Sequence, residues 1–273
     1  MLKKEYLFCL FLFFIACNTD KKQAAAFWEN AQKLYETGEY IPAKNNLDSI
    51  KILFPKEFEI QRQGLDLRRL IEIKENELNI VFCDSMLIIR LAEAEKMKSG
   101  FIFEKDPQYD EIGKYIDKNQ RLESKLQTSY IRTNVNEIGE IHLYSVYYGG
   151  RPINHTRLKV SKSNGTEYTE TQNIPKDGGM NYSFVDGGMT TEVVTYNKGK
   201  DNGVINFIYT NKESTLKAEF LGKGNYSFNI SSADKNVLIK TVDFAVVLSD
   251  IEKLKKEKEK SIQRLKYLES RLT

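Results

Sequence analysis

The chain has 273 residues, 41% hydrophobic and 29% charged, enough for a sizeable core and one or two domains. Its 41 basic and 38 acidic side chains leave a net +3, with lysines interleaved among acids rather than gathered in a strip. That balance argues against nucleic acid as a partner. The three cysteines (9, 17 and 83) and two histidines (142 and 155) supply neither a disulfide framework nor a metal cluster, so no metal or cofactor is expected.

Residues 1–17 have the parts of an export signal: Lys3 and Lys4, an apolar run from Leu7 to Ala16, then Cys17. Ten residues of helix rise only about 15 Å, half the hydrocarbon thickness of a bilayer. Two cleavage patterns compete. Ala24 and Ala26 in "QAAAF" form an A-x-A pattern, but Asp20, Lys21 and Lys22 separate it from the apolar run. "FIAC" (14–17) resembles the bacterial lipobox, with Phe14 in place of the usual leucine and Ile15 an accepted variant. That resemblance implies a signal peptide over 1–16, diacylglycerol on the Cys17 thiol, and residues 17–26 as a polar tether. Two or three acyl chains, at about 0.8 kcal/mol per buried methylene, hold a protein firmly on a membrane. The charged residues after Cys17 resemble export signals of Bacteroidetes lipoproteins. The implied location is the cell envelope, on the outer membrane, with either face open.

A helical region is expected over 27–127. "FWENAQKLYETGEYIPAKNNLDSIKILFP" (27–55) resembles one tetratricopeptide repeat: Phe27, Ala31, Leu34 and Tyr35 on a first helix, Gly38 and Tyr40 at the turn, and Ala43, Leu47 and Ile50 on a second. Gly38 can end a helix in the left-handed conformation, and Pro42 is tolerated in a first turn. No second repeat follows, so an ordinary helical hairpin fits equally well. Residues 57–99 predict a long helix with Leu67, Ile71, Leu78, Val81 and Ile88 along its seam. Apolar residues between Leu78 and Leu91 cover more than one face and call for several packing partners. Another helix is expected over 109–127 from Ile112, Ile116, Leu122 and Leu126.

From Thr128 the pattern turns to period two. Strands are predicted at 140–147, 156–161, 191–196, 204–210, 215–221 and 225–231, so 128–232 is expected to form an antiparallel sandwich or partly open barrel. Ser232 is expected to cap a last helix in the 233–273 segment. There Phe244, Val247, Ile251, Leu254, Leu265, Leu268 and Leu272 hold a heptad seam, with Lys258 and Ser261 at its weak positions. Ion pairs such as Lys253–Glu257 and Lys255–Glu259 would support its solvated face. The fold class is therefore α+β: a helical hairpin, a long antiparallel helical stalk made by N- and C-terminal helices, and a β region inserted between its arms.

Function is less legible. The repeated "DGGM" (177–180 and 186–189) reads as turn chemistry rather than calcium binding. No nucleophile elbow, phosphate loop, zincin motif or C-x-x-C occurs, and the chain is expected not to be an enzyme. Three alternatives remain: a membrane-tethered adaptor for an envelope protein, a glycan- or peptide-binding module using Tyr144, Tyr147, Tyr148 and Arg151, and an enzyme of unfamiliar type. An exposed apolar surface on the helices would favour the first, and outward tyrosines on a concave face the second. Two close carboxylates in a deep cleft would favour the third.

Overall fold

A computed structural model describes residues 4–120, 122, 127–163 and 165–271, with side chains from Thr19 onward. In chain order come helices α1 (Lys4–Glu36), α2 (Tyr40–Leu53) and α3 (Phe58–Lys98), then strands β1 (Phe101–Glu104), β2 (Lys114–Asp117), β3 (Tyr130–Asn136) and β4 (Ile141–Gly149). They are followed by β5 (Arg157–Lys162), β6 (Tyr168–Glu170), β7 (Asn181–Asp186), β8 (Met189–Tyr196) and the short helix α4 (Val204–Thr210). β9 (Leu216–Leu221), β10 (Asn225–Asn229) and the long helix α5 (Ser232–Glu269) complete the chain. The fold is α+β, with helices at both ends and antiparallel sheets between. The chain divides into two compact units: residues 1–86 with 255–273, and the inserted stretch 87–254.

In the first unit, α1 and α2 form a hairpin around Ala31, Ala43, Leu47 and Ile50, all buried. Gly38 turns the chain at φ 81, and its amide takes part in the closing turn as expected. Ala31 and Ala43 are both fully enclosed, which lets the helices approach closely. The tether expected over 17–26 is instead part of α1, and Ala24 packs in the hairpin core. Three consecutive alanines are strong helix formers, so the segment continues the helix. The side chain of Cys17 lies outside the described residues.

The last part of α5 runs antiparallel to α3 within this unit. The heptad seam of α5 is as its sequence indicates from Phe244 to Leu268, Leu272 lying outside the described residues, and its polar positions have partners. Lys258 Nζ donates to Asp84 Oδ1 at 2.5 Å, while Asn79 Nδ2 donates to Ser261 Oγ at 2.9 Å. Arg264 pairs with Glu72 one turn further on. Polar groups at seam positions fix register because a slip would leave them unpaired. The expected seam on α3 needs correction. Leu67 and Ile71 are buried, but Leu78, Val81 and Ile88 are exposed, and Asn79 and Cys83 take the inward positions. Cys83 is a buried free thiol whose pKa burial pushes up, in keeping with a small packing residue. The expected Lys253–Glu257 pair also changes, because Lys253 reaches Asp250 instead.

The second unit holds two antiparallel sheets, ordered β1-β2-β3-β4-β8-β7 and β10-β9-β5-β6. They face one another across a core of Ile131, Leu143, Tyr147, Val194 and Tyr196 from the first and Leu158, Val160, Ala218 and Phe220 from the second. Val204 and Ile208 of α4 and Leu238 of α5 close it. Tyr130, Val146 and Val193 form a smaller cluster elsewhere on the six-stranded sheet. The β3–β4 turn presses on α5: a Cβ at Gly139 would lie 2.5 Å from the Ser249 amide nitrogen. With φ at 83 as well, that position demands glycine.

Three sequence expectations fail here. The helix over 109–127 is absent among the described residues; 114–117 is a strand pairing with both β1 and β3. Four of that segment's residues, 123–126, and Arg121 lie outside the described residues. The strand over 204–210 is α4, because Val204 and Ile208, four residues apart, both enter the core. The Asp201 carboxylate accepts from the amides of Gly203 and Ile205 and so starts the helix. Finally, Ser231 rather than Ser232 caps α5: its Oγ accepts from Asp234 N at 3.0 Å and donates to Asp234 Oδ2 at 2.7 Å. The β region accordingly starts at Phe101, well before Thr128.

Candidate functional site

The residues singled out on β4 do not come together. β4 is an interior strand between β3 and β8, so alternation sends Tyr147 to one face and Tyr144 and Tyr148 to the other. Tyr147 is a core residue: it packs edge-on against Tyr226, and its hydroxyl donates to the Arg151 carbonyl at 2.8 Å. The Tyr144 hydroxyl accepts from Asn134 Nδ2 at 3.0 Å, with the Arg132 guanidinium 4.4 Å from its ring centre. Tyr148 is half-buried, and its amide donates to Ser129 Oγ. Only Arg151 projects into solvent. Packing therefore accounts for Tyr147, while Tyr144 and Tyr148 share the opposite face of β4.

Both "DGGM" segments are turns. Gly187 and Gly188 have positive φ in the two-residue loop joining β7 to β8, with Asp186 opposite Met189. Asp177 Oδ1 accepts from the amides of Gly179 and Asn181, and these hydrogen bonds hold its carboxyl below the ordinary range. Among the described residues no group of His, Cys, Asp or Glu is placed to hold a metal ion.

What sequence reasoning missed is a buried polar chain between the sheets. Glu192 on β8 and His155, just before β5, are both nearly inaccessible. His155 Nδ1 lies 2.7 Å from Glu192 Oε2, which also accepts from the His155 amide, while Oε1 accepts from the Asn154 amide at 2.7 Å. On the other side of the ring, His155 Nε2 lies 2.9 Å from Ser145 Oγ, which in turn lies 3.2 Å from the Tyr196 hydroxyl. Phe220 stacks on the imidazole at 4.8 Å. Burial pushes the Glu192 carboxyl up, but the imidazole and the two backbone N–H groups outweigh that and hold it below its ordinary value. Burial also raises the Tyr196 phenol far above its ordinary value. One proton order fits these distances: with Nδ1–H directed to the carboxylate and Nε2 as acceptor, Ser145 donates to Nε2 and Tyr196 to Ser145. Every member is then satisfied.

These distances match those of a Ser-His-acid hydrolase triad, yet the environment differs. Ser145 is fully enclosed, its hydroxyl contacts the equally enclosed Tyr196 hydroxyl, and Ser145 does not line the neighbouring cleft. We expect Ser145→Ala to cost about 1–3 kcal/mol by leaving the imidazole Nε2 unpaired, while the Tyr196 phenol keeps Thr171 as a partner. We also expect a fluorophosphonate probe to leave the native protein unlabelled. Labelling that Ser145→Ala abolishes would overturn a purely structural role.

Beside this chain opens a cleft of about 590 Å³, whose wall includes His155 and Glu192. Asn181 braces its floor, donating to the carbonyls of His155 and Ile174. Its rim carries Asn154, Arg157, Asn173, Lys176, Ser183 and Lys223. The one sequence signal for it was a lone glutamate inside the apolar "TEVVTY" strand. Its partner is the histidine that precedes the strand "TRLKVS".

The helical unit presents a surface of another kind. Leu78, Val81 and Phe82 on α3 are 58%, 63% and 57% exposed. Leu78 and Phe82 line a shallow groove with Asn76, Asn79 and Glu257. No protein-family model, curated protein or solved structure matches the chain.

Proposed function

We propose that the protein is a lipid-anchored envelope protein, held at the outer membrane through Cys17, that acts as a non-catalytic adaptor for another envelope protein. The observation that carries the adaptor role is the outward apolar row on α3. Leu78, Val81 and Phe82 lie within one helical turn and a little more, on one side of the helix. Large apolar side chains grouped on a surface characteristically mark contact sites. Anchoring rests on the apolar run that ends at Cys17. No helix among the described residues is long and apolar enough to cross a membrane, and attachment through an acylated cysteine requires none.

Two variants separate the two parts of the proposal. Cys17→Ser is expected to move the protein from the membrane to the soluble fraction and to abolish labelling by a lipid precursor. Val81→Ser with Phe82→Ser is expected to leave membrane attachment and thermal melting unchanged while reducing the partners recovered by crosslinking in native cells. An unchanged crosslinking pattern would remove the adaptor role. Unchanged fractionation of Cys17→Ser would remove the anchor.

A further inference from the structure

We propose that the cleft of the β unit is a binding site for a small hydroxylated carboxylate, a sugar acid. Four observations point there. Its volume, about 590 Å³, lies within the range of small-molecule sites. Its rim is rich in uncommitted polar groups: among the described residues, the Asn154 and Asn173 amides and the Lys223 ammonium have no side-chain hydrogen-bond or ion-pair partner. Lys176 meets only a neutral group, donating to Ser183 Oγ at 2.7 Å. The site is also preorganised. Asn154 is held at φ 50, a conformation uncommon outside glycine, by the Glu192 carboxylate on its amide. Gly222 seals that turn from the other side, since a Cβ there would lie 2.4 Å from the Asn154 carbonyl oxygen. A strained residue on the wall of a cleft, fixed by a buried carboxylate, is an arrangement whose cost is usually borne for function.

The chemistry of the rim selects the ligand class. Lys176 and Lys223 are point charges without a carboxylate partner among the described residues, so they favour an anion. Amides and hydroxyls from Asn154, Asn173 and Ser183 both donate and accept, which suits the vicinal hydroxyls of a sugar. The arginine on the rim, Arg157, is already paired with Glu170, so no free guanidinium is left to grip a phosphate bidentately. Glu192 beneath the site also disfavours a dianion more than a monoanion. The carboxylate would lie between the two lysines, and the ring hydroxyls along the asparagines. No residue of the α3 surface takes part, so this activity stands or falls separately from the adaptor role.

Calorimetric titration of the full chain tests it, using glucuronate, galacturonate and digalacturonate against glucose and inorganic phosphate. At least one sugar acid should bind about tenfold or more tightly than glucose and phosphate, a difference of about 1.4 kcal/mol. Lys176→Ala with Lys223→Ala should erase that preference without shifting the melting temperature, because both side chains are exposed. Asn173→Ala should weaken binding of the acid severalfold. Tighter binding of the disaccharide would identify a glycan terminus as the source of the ligand, and equal binding a free sugar acid. The proposal is overturned if no uronate binds, if glucose or phosphate binds as well, or if the double variant keeps the wild-type preference.

Discussion

Glu192→Ala is expected to destabilise the β unit by about 3–5 kcal/mol, the usual cost of removing one partner from a buried charge-assisted network. The carboxylate accepts from three N–H groups, those of the Asn154 and His155 backbones and of the His155 ring. Alanine would leave all three enclosed and unpaired. It would also release Asn154 from its left-handed conformation and His155 from its position under Phe220. Glu192→Gln keeps the volume but points an amide donor toward donors, so it should recover only part of the loss. The pH dependence carries a sign. Because the folded carboxyl is held below its ordinary value, its stabilisation is complete above the unfolded value, about pH 4.3. It is lost as pH falls through the lower folded value. The stability gap between wild type and Glu192→Gln, measured by urea unfolding, should therefore be widest near neutrality and narrow below about pH 4. A gap under about 1 kcal/mol at pH 7 would mean that the carboxylate does not hold the turn.

How much of this was legible in the sequence depended on the range of the interaction. The α5 seam was readable because heptad spacing repeats over many turns, and even its weak positions, Lys258 and Ser261, were correctly placed at the interface. The hairpin of α1 and α2 was readable because its glycine, proline and alanines act locally. α3 was harder. Its apolar residues outnumber those the seam needs, so periodicity could not say whether Leu78 and Val81 or Asn79 and Cys83 face α5, and polar pairing decided it. α4 was misread because Ile205, Phe207 and Tyr209 alternate, while the Asp201 cap and the Val204–Ile208 spacing carried the opposite message over too few residues. The His155–Glu192 pair was invisible for another reason: its members lie 37 residues apart and meet only when the sheet that holds β8 packs against the sheet that holds β5. The cleft is assembled from three loops and from β5, β7, β8 and β9, so beyond the lone Glu192 it has no local pattern.

The second large effect concerns the segment misread as a helix. Phe244 on α5 is fully enclosed, with the Phe101 ring 4.8 Å away and the Tyr115 ring 5.1 Å away in an edge-on contact. Both neighbours belong to the β1–β2 pair, which has Phe101 opposite Asp117 and Phe103 opposite Tyr115. Two strands of four residues are not stable alone, and β2 is tied to β3 by only a short register, so packing on α5 supplies much of what holds the pair. The close packing also explains why glycine stands at 113. A Cβ at that position would fall 2.3 Å from the Phe103 ring. Phe244→Ala removes the ring on which the strand pair rests and should cost about 3–5 kcal/mol, whereas Phe244→Leu, which keeps most of the volume, should cost about 1.5 kcal/mol or less. Hydrogen exchange should locate the loss. Amides of 101–104 and 114–117 should lose protection first in Phe244→Ala, while those of β9 and β10 change less because Phe220 and Ala218 pack in a separate cluster. If 101–117 were helical in solution, the exchange pattern would follow four-residue periodicity and Phe244→Ala would leave it intact. Such a pattern would return this segment to the helical region and detach it from the six-stranded sheet.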